Sequence, residues 1–151
     1  ADAPLTSFYA GSYFGVWQAL QLDALASVIA SPASGLGAWQ RATAKTALMH
    51  AASSVVHSAG KHFAQPLKVR AGNTTFHDRR LLSDRTLSVS AIFREACAKI
   101  ASAAPSRDAG HRAVTDSAER FVAQPREADR LYYLDPPYTA QQYSRFYHVL
   151  E

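Results

Sequence analysis

Three stretches of the chain place apolar residues near helical spacing, and two short runs after them do not. From about Val16 to Ala30, Leu22, Leu25, Val28 and Ile29 line one helix face. Pro32 and Gly35-Leu36-Gly37 end that helix. A second helix is expected from about Ala38 to Ser58, alanine-rich, carrying Leu48, Met49, Val55 and Val56, with Gly60 as its stop. A third is expected from Asp84 or Ser88 to Ala104, on Val89, Ile92, Phe93, Ala96 and Ile100, halted by Pro105. Residues 1–13, with Pro4, Gly11 and Ser12, read as turns. Lys61 to Arg80, with Pro66, Gly72 and Asn73-Thr74-Thr75, reads as a long, mostly irregular segment, the kind that usually carries function or is disordered.

After Pro105 the pattern changes. Arg112 to Thr115 reads as a short strand with Asp116 at its end, and Ser117 to Ala123 as a short helix closed by Pro125. Leu131-Tyr132-Tyr133-Leu134 reads as a second strand, apolar enough for burial in a parallel sheet. A further helix begins near Gln141. Strand, helix, strand, loop, helix is an α/β pattern. The expected organisation is a mainly helical region over 1–105, with a basic loop at 61–85, followed by part of an α/β domain over 106–151.

Composition fits a globular domain: 151 residues, 48% apolar and 19% charged. Much of the apolar count is alanine, which favours helix but fills little volume. The single cysteine, Cys97, excludes an internal disulfide and a CxxC metal site. The histidines show no HExxH spacing, so no metal is expected. His50 and His57, seven apart, would share a helix face. No apolar run is long enough to span a membrane and no signal peptide is visible, so a reducing cytoplasmic setting is expected. The chain begins without Met and stops at Glu151 within an apparent helix, which suggests a fragment.

Charge sharpens the picture. The whole excess of +4 lies between Lys61 and Arg85, where six basic residues face two acidic ones. A concentrated positive segment suits a phosphate backbone. Lys68, Arg70, Arg79 and Arg80 are the expected backbone contacts.

The chemistry concentrates in "YYLDPPYTAQQYSRFYH", residues 132–148. Two adjacent prolines, Pro136 and Pro137, fix two φ angles and remove two N–H donors. They also bias Asp135 toward an extended backbone. The loop therefore offers acceptors, the Asp135 carboxylate and the Pro136 carbonyl, beside the aromatic face of Tyr138. That set suits a planar ring bearing an exocyclic NH₂. Stacking on Tyr138 is worth ~1–3 kcal/mol. Two acceptors holding the amine hydrogens draw the nitrogen toward tetrahedral geometry and free its lone pair for attack, while stabilising the positive charge that develops. Tyr143 and Arg145, just beyond, are placed to meet the target strand.

These residues resemble the amino-group-modifying DNA methyltransferases, whose motif is Asp/Asn/Ser-Pro-Pro-aromatic after an apolar strand. "YLDPPYTAQQYSRFYHVLE", "SYFGVWQALQLDALASVI" and "GKHFAQPLKVR" are similar to the adenine-specific, D12-type members. The resemblance implies an α/β fold, with part of a Rossmann-like methyltransferase sheet preceded by a largely helical insert. It implies that Asp135 and Pro136 hold the N6 amino group of a flipped adenine, that Pro137 shapes the loop and that Tyr138 stacks on the base. It implies S-adenosylmethionine as methyl donor, with Asp116 as the acid near the cofactor's adenine. Double-stranded DNA is the implied partner, together with the rest of a methyltransferase chain and a restriction nuclease where the enzyme is half of such a pair. The family's Phe-x-Gly-x-Gly cofactor loop is missing: Gly11 to Gly15 has the wrong order, and Gly35-Leu36-Gly37 lies between helices. The loop is expected upstream of Ala1, and weak or no cofactor binding is expected of this chain alone. A non-catalytic nucleic-acid-binding module, and cytosine-N4 or RNA targets, remain open.

Overall fold

The computed structural model describes residues 3–61, 63, 66–67, 74–103, 114–123, 133 and 149. The chain divides into two units, Ala1–Ala103 with Gln142–Glu151, and Ala104–Gln141. In the first, five helices follow in order: α1 Pro4–Tyr9, α2 Val16–Ala30, α3 Ala38–Val55, α4 Thr74–Thr86 and α5 Val89–Ala103. The second contains α6, Ala118–Ala123.

α2 runs over the span the apolar spacing predicts. Its first turn is closed by Gln18, whose side-chain Oε1 accepts the Gly15 N–H at 3.0 Å. A Cβ at residue 15 would stand 3.1 Å from Arg85 Cδ and 3.2 Å from that Gln18 oxygen, so a larger residue there requires both side chains to give by a few tenths of an ångström. At the other end, Ser31 and Pro32 turn the chain. The Arg41 guanidinium then reaches back from α3 to the carbonyls of Ile29 and Leu36, tying the α2–α3 corner.

α1 is a helix where turns were expected. Pro4 sits in its first turn, where a missing N–H is harmless. Ala3 provides no side-chain cap, and Asp23 of α2 supplies it instead. Its Oδ1 accepts from Leu5 N at 3.0 Å, and its Oδ2 from Thr6 N and Thr6 Oγ1, both at 2.7 Å. Asp23→Ala is expected to lower stability by about 1–2 kcal/mol, the usual loss for an N-cap, read as a shifted midpoint in urea denaturation. Asp23→Asn should recover part of it.

α3 stops at Val55, three residues short of the expected end. His57 leaves the helix because its N–H finds the Tyr13 carbonyl at 2.8 Å, while its own carbonyl accepts from Leu67 N at 3.4 Å. His50 and His57 therefore share no helix face: His50 is exposed on α3 and His57 is buried. α4 occupies the end of the segment read as irregular, and the break before α5 falls at Leu87–Ser88. Ser88 Oγ accepts from Ala91 N at 3.2 Å and starts α5.

The buried face of α3 is Ala44, Ala47, Ala51, Ala52 and Val55. Such small side chains let helix backbones approach closely, and α5 packs there. Larger residues close the core at one end: Tyr13, Phe14, Leu22, Val56, Phe63, Val89 and Val149.

The α/β expectation is corrected. The described residues contain no β-strand, only isolated bridges at Ala10–Phe14 and Ser58–Pro66. Val114 and Thr115, expected to end a strand, are exposed and unpaired by any strand in the described residues, and α6 begins three residues on, at Ala118. Two β-branched residues cannot hold a strand without a neighbouring ladder. Of the second expected strand only Tyr133 is described, and it is 85% exposed rather than buried. A Rossmann-like sheet is therefore not part of the described structure.

Candidate functional site

The basic segment begins at Lys61, beside a bridge between Ser58 and Pro66. Phe63, fully buried, points inward against Phe14 and Tyr13, with ring centroids 6.1 and 6.2 Å away. The Tyr13 hydroxyl donates to the Phe63 carbonyl at 2.8 Å. Gly60 takes a left-handed conformation, φ 68°, that a side chain would strain.

Beneath the loop lies a polar knot. His57 Nδ1 is 2.8 Å from Asp84 Oδ2, with both side chains buried. A carboxylate only accepts, so Nδ1 carries the shared hydrogen. Gln18 Nε2 donates to the carbonyls of Asp84 and Leu87 at 2.8 and 3.1 Å, tying α2 to the end of α4. Arg85 reaches Ser12 O at 3.1 Å. Burial lowers its pKa below the ordinary arginine value, against the opposing effect of Asp84. His57 Nε2, Ser58 Oγ and Arg85 NH1 are buried without a hydrogen-bond partner. A His–Asp couple could serve as a general base in an open cleft. At 1% exposure His57 meets no substrate, and the couple holds structure instead.

Burial, with Tyr9 beside it, raises the Tyr13 hydroxyl above the ordinary tyrosine pKa of 10.0. The protonated form is the one that donates to Phe63, so this contribution is whole below pH 10.0 and lost as pH climbs past the raised value. Urea midpoints are expected to fall in that alkaline range for the wild type and to fall less steeply for Tyr13→Phe.

The expected DNA contacts separate in the structure. Arg79 is exposed on α4. Arg80 is half-buried: its NH2 donates to Ser58 O at 3.0 Å, and its Nε lies 3.9 Å from Asp84 Oδ2. Asp116 is exposed, with Oδ1 accepting the Ser117 N–H at 2.8 Å. Ser117 caps α6, its Oγ accepting from Arg120 N at 3.3 Å. Lys68, Arg70, Asp135, Pro136, Pro137, Tyr138, Tyr143 and Arg145 lie outside the described residues.

Sequence reasoning missed His57, Asp84 and Gln18, whose partners are 27 and 66 residues distant or more. The available signal was a polar residue, Gln18, one turn before the core residue Leu22 in a helix rich in apolar residues.

A cavity of about 350 Å³ lies among α1, α2 and α3, walled by Leu5, Phe8, Leu22 and Met49. Its carboxylate, Asp23, is already engaged in capping α1. Among the described residues no group of three His, Cys, Asp or Glu side chains could hold a metal ion, and no helix is long and apolar enough to cross a membrane. No protein-family model matches the chain, and neither a curated protein nor a solved structure matches it significantly.

Proposed function

We propose that this chain belongs to an S-adenosylmethionine-dependent DNA methyltransferase acting on the N6 amino group of adenine in the cytoplasm. The observation that carries the reading is Leu134-Asp135-Pro136-Pro137-Tyr138 within its aromatic surroundings, an acceptor-only clamp for an aromatic amine. The folded unit lends support from another direction. Two of the three stretches that resemble the D12-type enzymes interlock: Tyr13 and Phe14 of the first pack on Phe63 of the second. Side chains in those stretches thus build one core, and the basic segment leaves from its edge.

In this reading the clamp binds a flipped adenine, and exposed Arg79, with Lys68, Arg70, Tyr143 and Arg145, holds the DNA strand. Flipping an adenine costs a few kcal/mol, which these contacts offset. In this reading Asp116 lies near the adenine of the methyl donor. Methyl transfer by the full gene product to duplex DNA, with N6-methyladenine identified in the digested product, tests the proposal. Absence of any methylated base, with DNA binding intact, would favour the second reading, a nucleic-acid-binding module without activity. The exposure of Asp116 among the described residues is the observation on that side.

Arg79 and Arg80 are expected to behave differently. Arg79→Ala should weaken DNA binding across sequences and lower the salt slope by about one unit, without moving the melting temperature. Arg80→Ala should lower the melting temperature because the Ser58 carbonyl loses its donor. Equal effects of the two on binding and stability would overturn this division.

A further inference from the structure

α2 buries two polar residues, Gln18 and Asp23, while Trp17 on the same helix stays 70% exposed. Gln18 is accounted for by the carbonyls it holds at Asp84 and Leu87. Asp23 is accounted for only in part. It is 8% exposed, and a carboxylate offers about four acceptor positions on its two oxygens. Three are taken: Oδ2 accepts from Thr6 N and Thr6 Oγ1, and Oδ1 from Leu5 N alone. None of these donors carries a positive charge. Among the described residues no lysine, arginine or histidine forms an ion pair with Asp23. Asp84 makes the contrast. At 6% exposure it has His57 Nδ1 at 2.8 Å and Arg80 Nε at 3.9 Å from its Oδ2. Buried charges are paired as a rule, and Asp23 is the buried acid of the described residues left without a cation.

The cavity among α1, α2 and α3 lies against this carboxylate. Leu5, Phe8, Tyr9, Leu22 and Met49 line its volume of about 350 Å³, and Asp23 is the one charged residue among its described walls. Phe8 and Met49 are 78% and 50% exposed, so the cavity reaches solvent. An apolar cavity of about 150 Å³ already holds a benzene, so this one has room for a ring and a short chain.

We propose that the cavity is a binding site for a small arylalkylamine, a primary ammonium carried on an aromatic ring by a short chain. The ammonium donates to the remaining acceptor position of Asp23 Oδ1 and supplies the counter-charge the carboxylate lacks. The ring fills the apolar volume, and the faces of Phe8 and Tyr9 add attraction for the cation. The carboxylate sets the sign of the ligand: an anion of the same shape is repelled, and a neutral alcohol leaves the buried charge uncompensated. The apolar walls set its body, since a bare hydrated cation would gain nothing from them. This inference is independent of the methyl-transfer reading.

Titration of this chain with phenethylamine, followed in proton–nitrogen correlation spectra, tests it, with phenethyl alcohol and phenylacetate as the neutral and anionic probes. The amine is expected to give saturable shifts at the amides of Leu5, Thr6, Phe8, Asp23 and Met49. Dissociation on the order of 1 mM is ordinary for a ligand of about nine heavy atoms. The alcohol should bind at least about tenfold more weakly, since it forms no charge-assisted bond, and phenylacetate should give no saturable shift. Asp23→Asn, which keeps an oxygen for the α1 cap, should bring the amine down to the affinity of the alcohol. Ala26→Phe fills the cavity from α2, leaves Asp23 in place, and should abolish binding of both. The comparison of the three probes needs no variant and covers the case in which Asp23→Asn fails to fold. No saturable shift with the amine, equal affinity for amine and alcohol, a preference for the amine that survives in Asp23→Asn, or undiminished amine binding by folded Ala26→Phe chains would overturn the proposal.

Discussion

Asp135→Ala in the full gene product is expected to reduce methyl transfer by at least about 10²–10³-fold while leaving DNA affinity within about threefold. The two effects separate because they rest on different physics. Affinity for duplex DNA comes mainly from phosphate contacts and counterion release, and a single carboxylate in a loop contributes little to either. Transfer depends on the amine. Its lone pair is delocalised into the base, and under the proposed reading the two acceptors, Asp135 carboxylate and Pro136 carbonyl, would stabilise the tetrahedral, positively charged nitrogen of the transition state more than the planar ground state. Removing one acceptor therefore lowers kcat more than it raises KM. Asp135→Asn keeps a carbonyl acceptor and should retain part of the rate. Fluorescence anisotropy gives the affinity and incorporation of labelled methyl groups gives the rate. Wild-type transfer by Asp135→Ala would remove this residue from the clamp.

Phe63→Ala and Asp84→Ala are each expected to destabilise the helical unit by about 3–5 kcal/mol, by different routes. Phe63 is fully buried against Tyr13 and Phe14, so truncation leaves a cavity where its ring was. Asp84→Ala leaves His57 buried without the acceptor of its Nδ1 hydrogen and releases Arg80 from its i,i+4 partner. Either loss approaches the whole stability of a small domain. Far-ultraviolet circular dichroism against urea should show both transitions moving down. Phe63→Leu, which refills most of the volume, should recover much of the loss. Asp84→Asn, which keeps an acceptor for His57, should recover part of its own. A midpoint for Phe63→Ala equal to that of wild type would mean that this side chain does not anchor the loop.

Four helices were legible because their signals are local, α6 among them. In α2 and α5 apolar spacing coincides with sequence stops at Pro32 and Pro105, and in α3 alanine supplies propensity over many turns. α1 was not legible, since its cap comes from Asp23, 17 and 18 residues further along the chain. α4 was missed because Thr74–Thr86 is a mostly polar helix with little apolar periodicity to betray it. The end of α3 was overrun for a related reason. Nothing near His57 says that its N–H will meet the Tyr13 carbonyl rather than an earlier turn of the same helix. The α/β expectation failed at Val114, where strand propensity in two or three residues had no paired neighbour to sustain it. Of the candidate site, the basic excess at 61–85 and the Asp135-Pro136-Pro137-Tyr138 run on which the proposal rests are visible in residue order alone, but the exposure of Arg79 and the bond of Arg80 to the Ser58 carbonyl are not.

By itself the sequence determined which stretches are intrinsically helical and where the positive charge gathers, because propensity and charge act over a few neighbouring residues. Only the tertiary structure decided that Asp23 caps a distant helix, that His57 and Asp84 form a buried couple, that Phe63 is an anchor, and that α2 turns its polar residues inward and its tryptophan outward. Each of those outcomes is set by a partner far along the chain. Burial makes a missing hydrogen bond costly, so the polar residue goes where its partner is, whatever the local pattern favours.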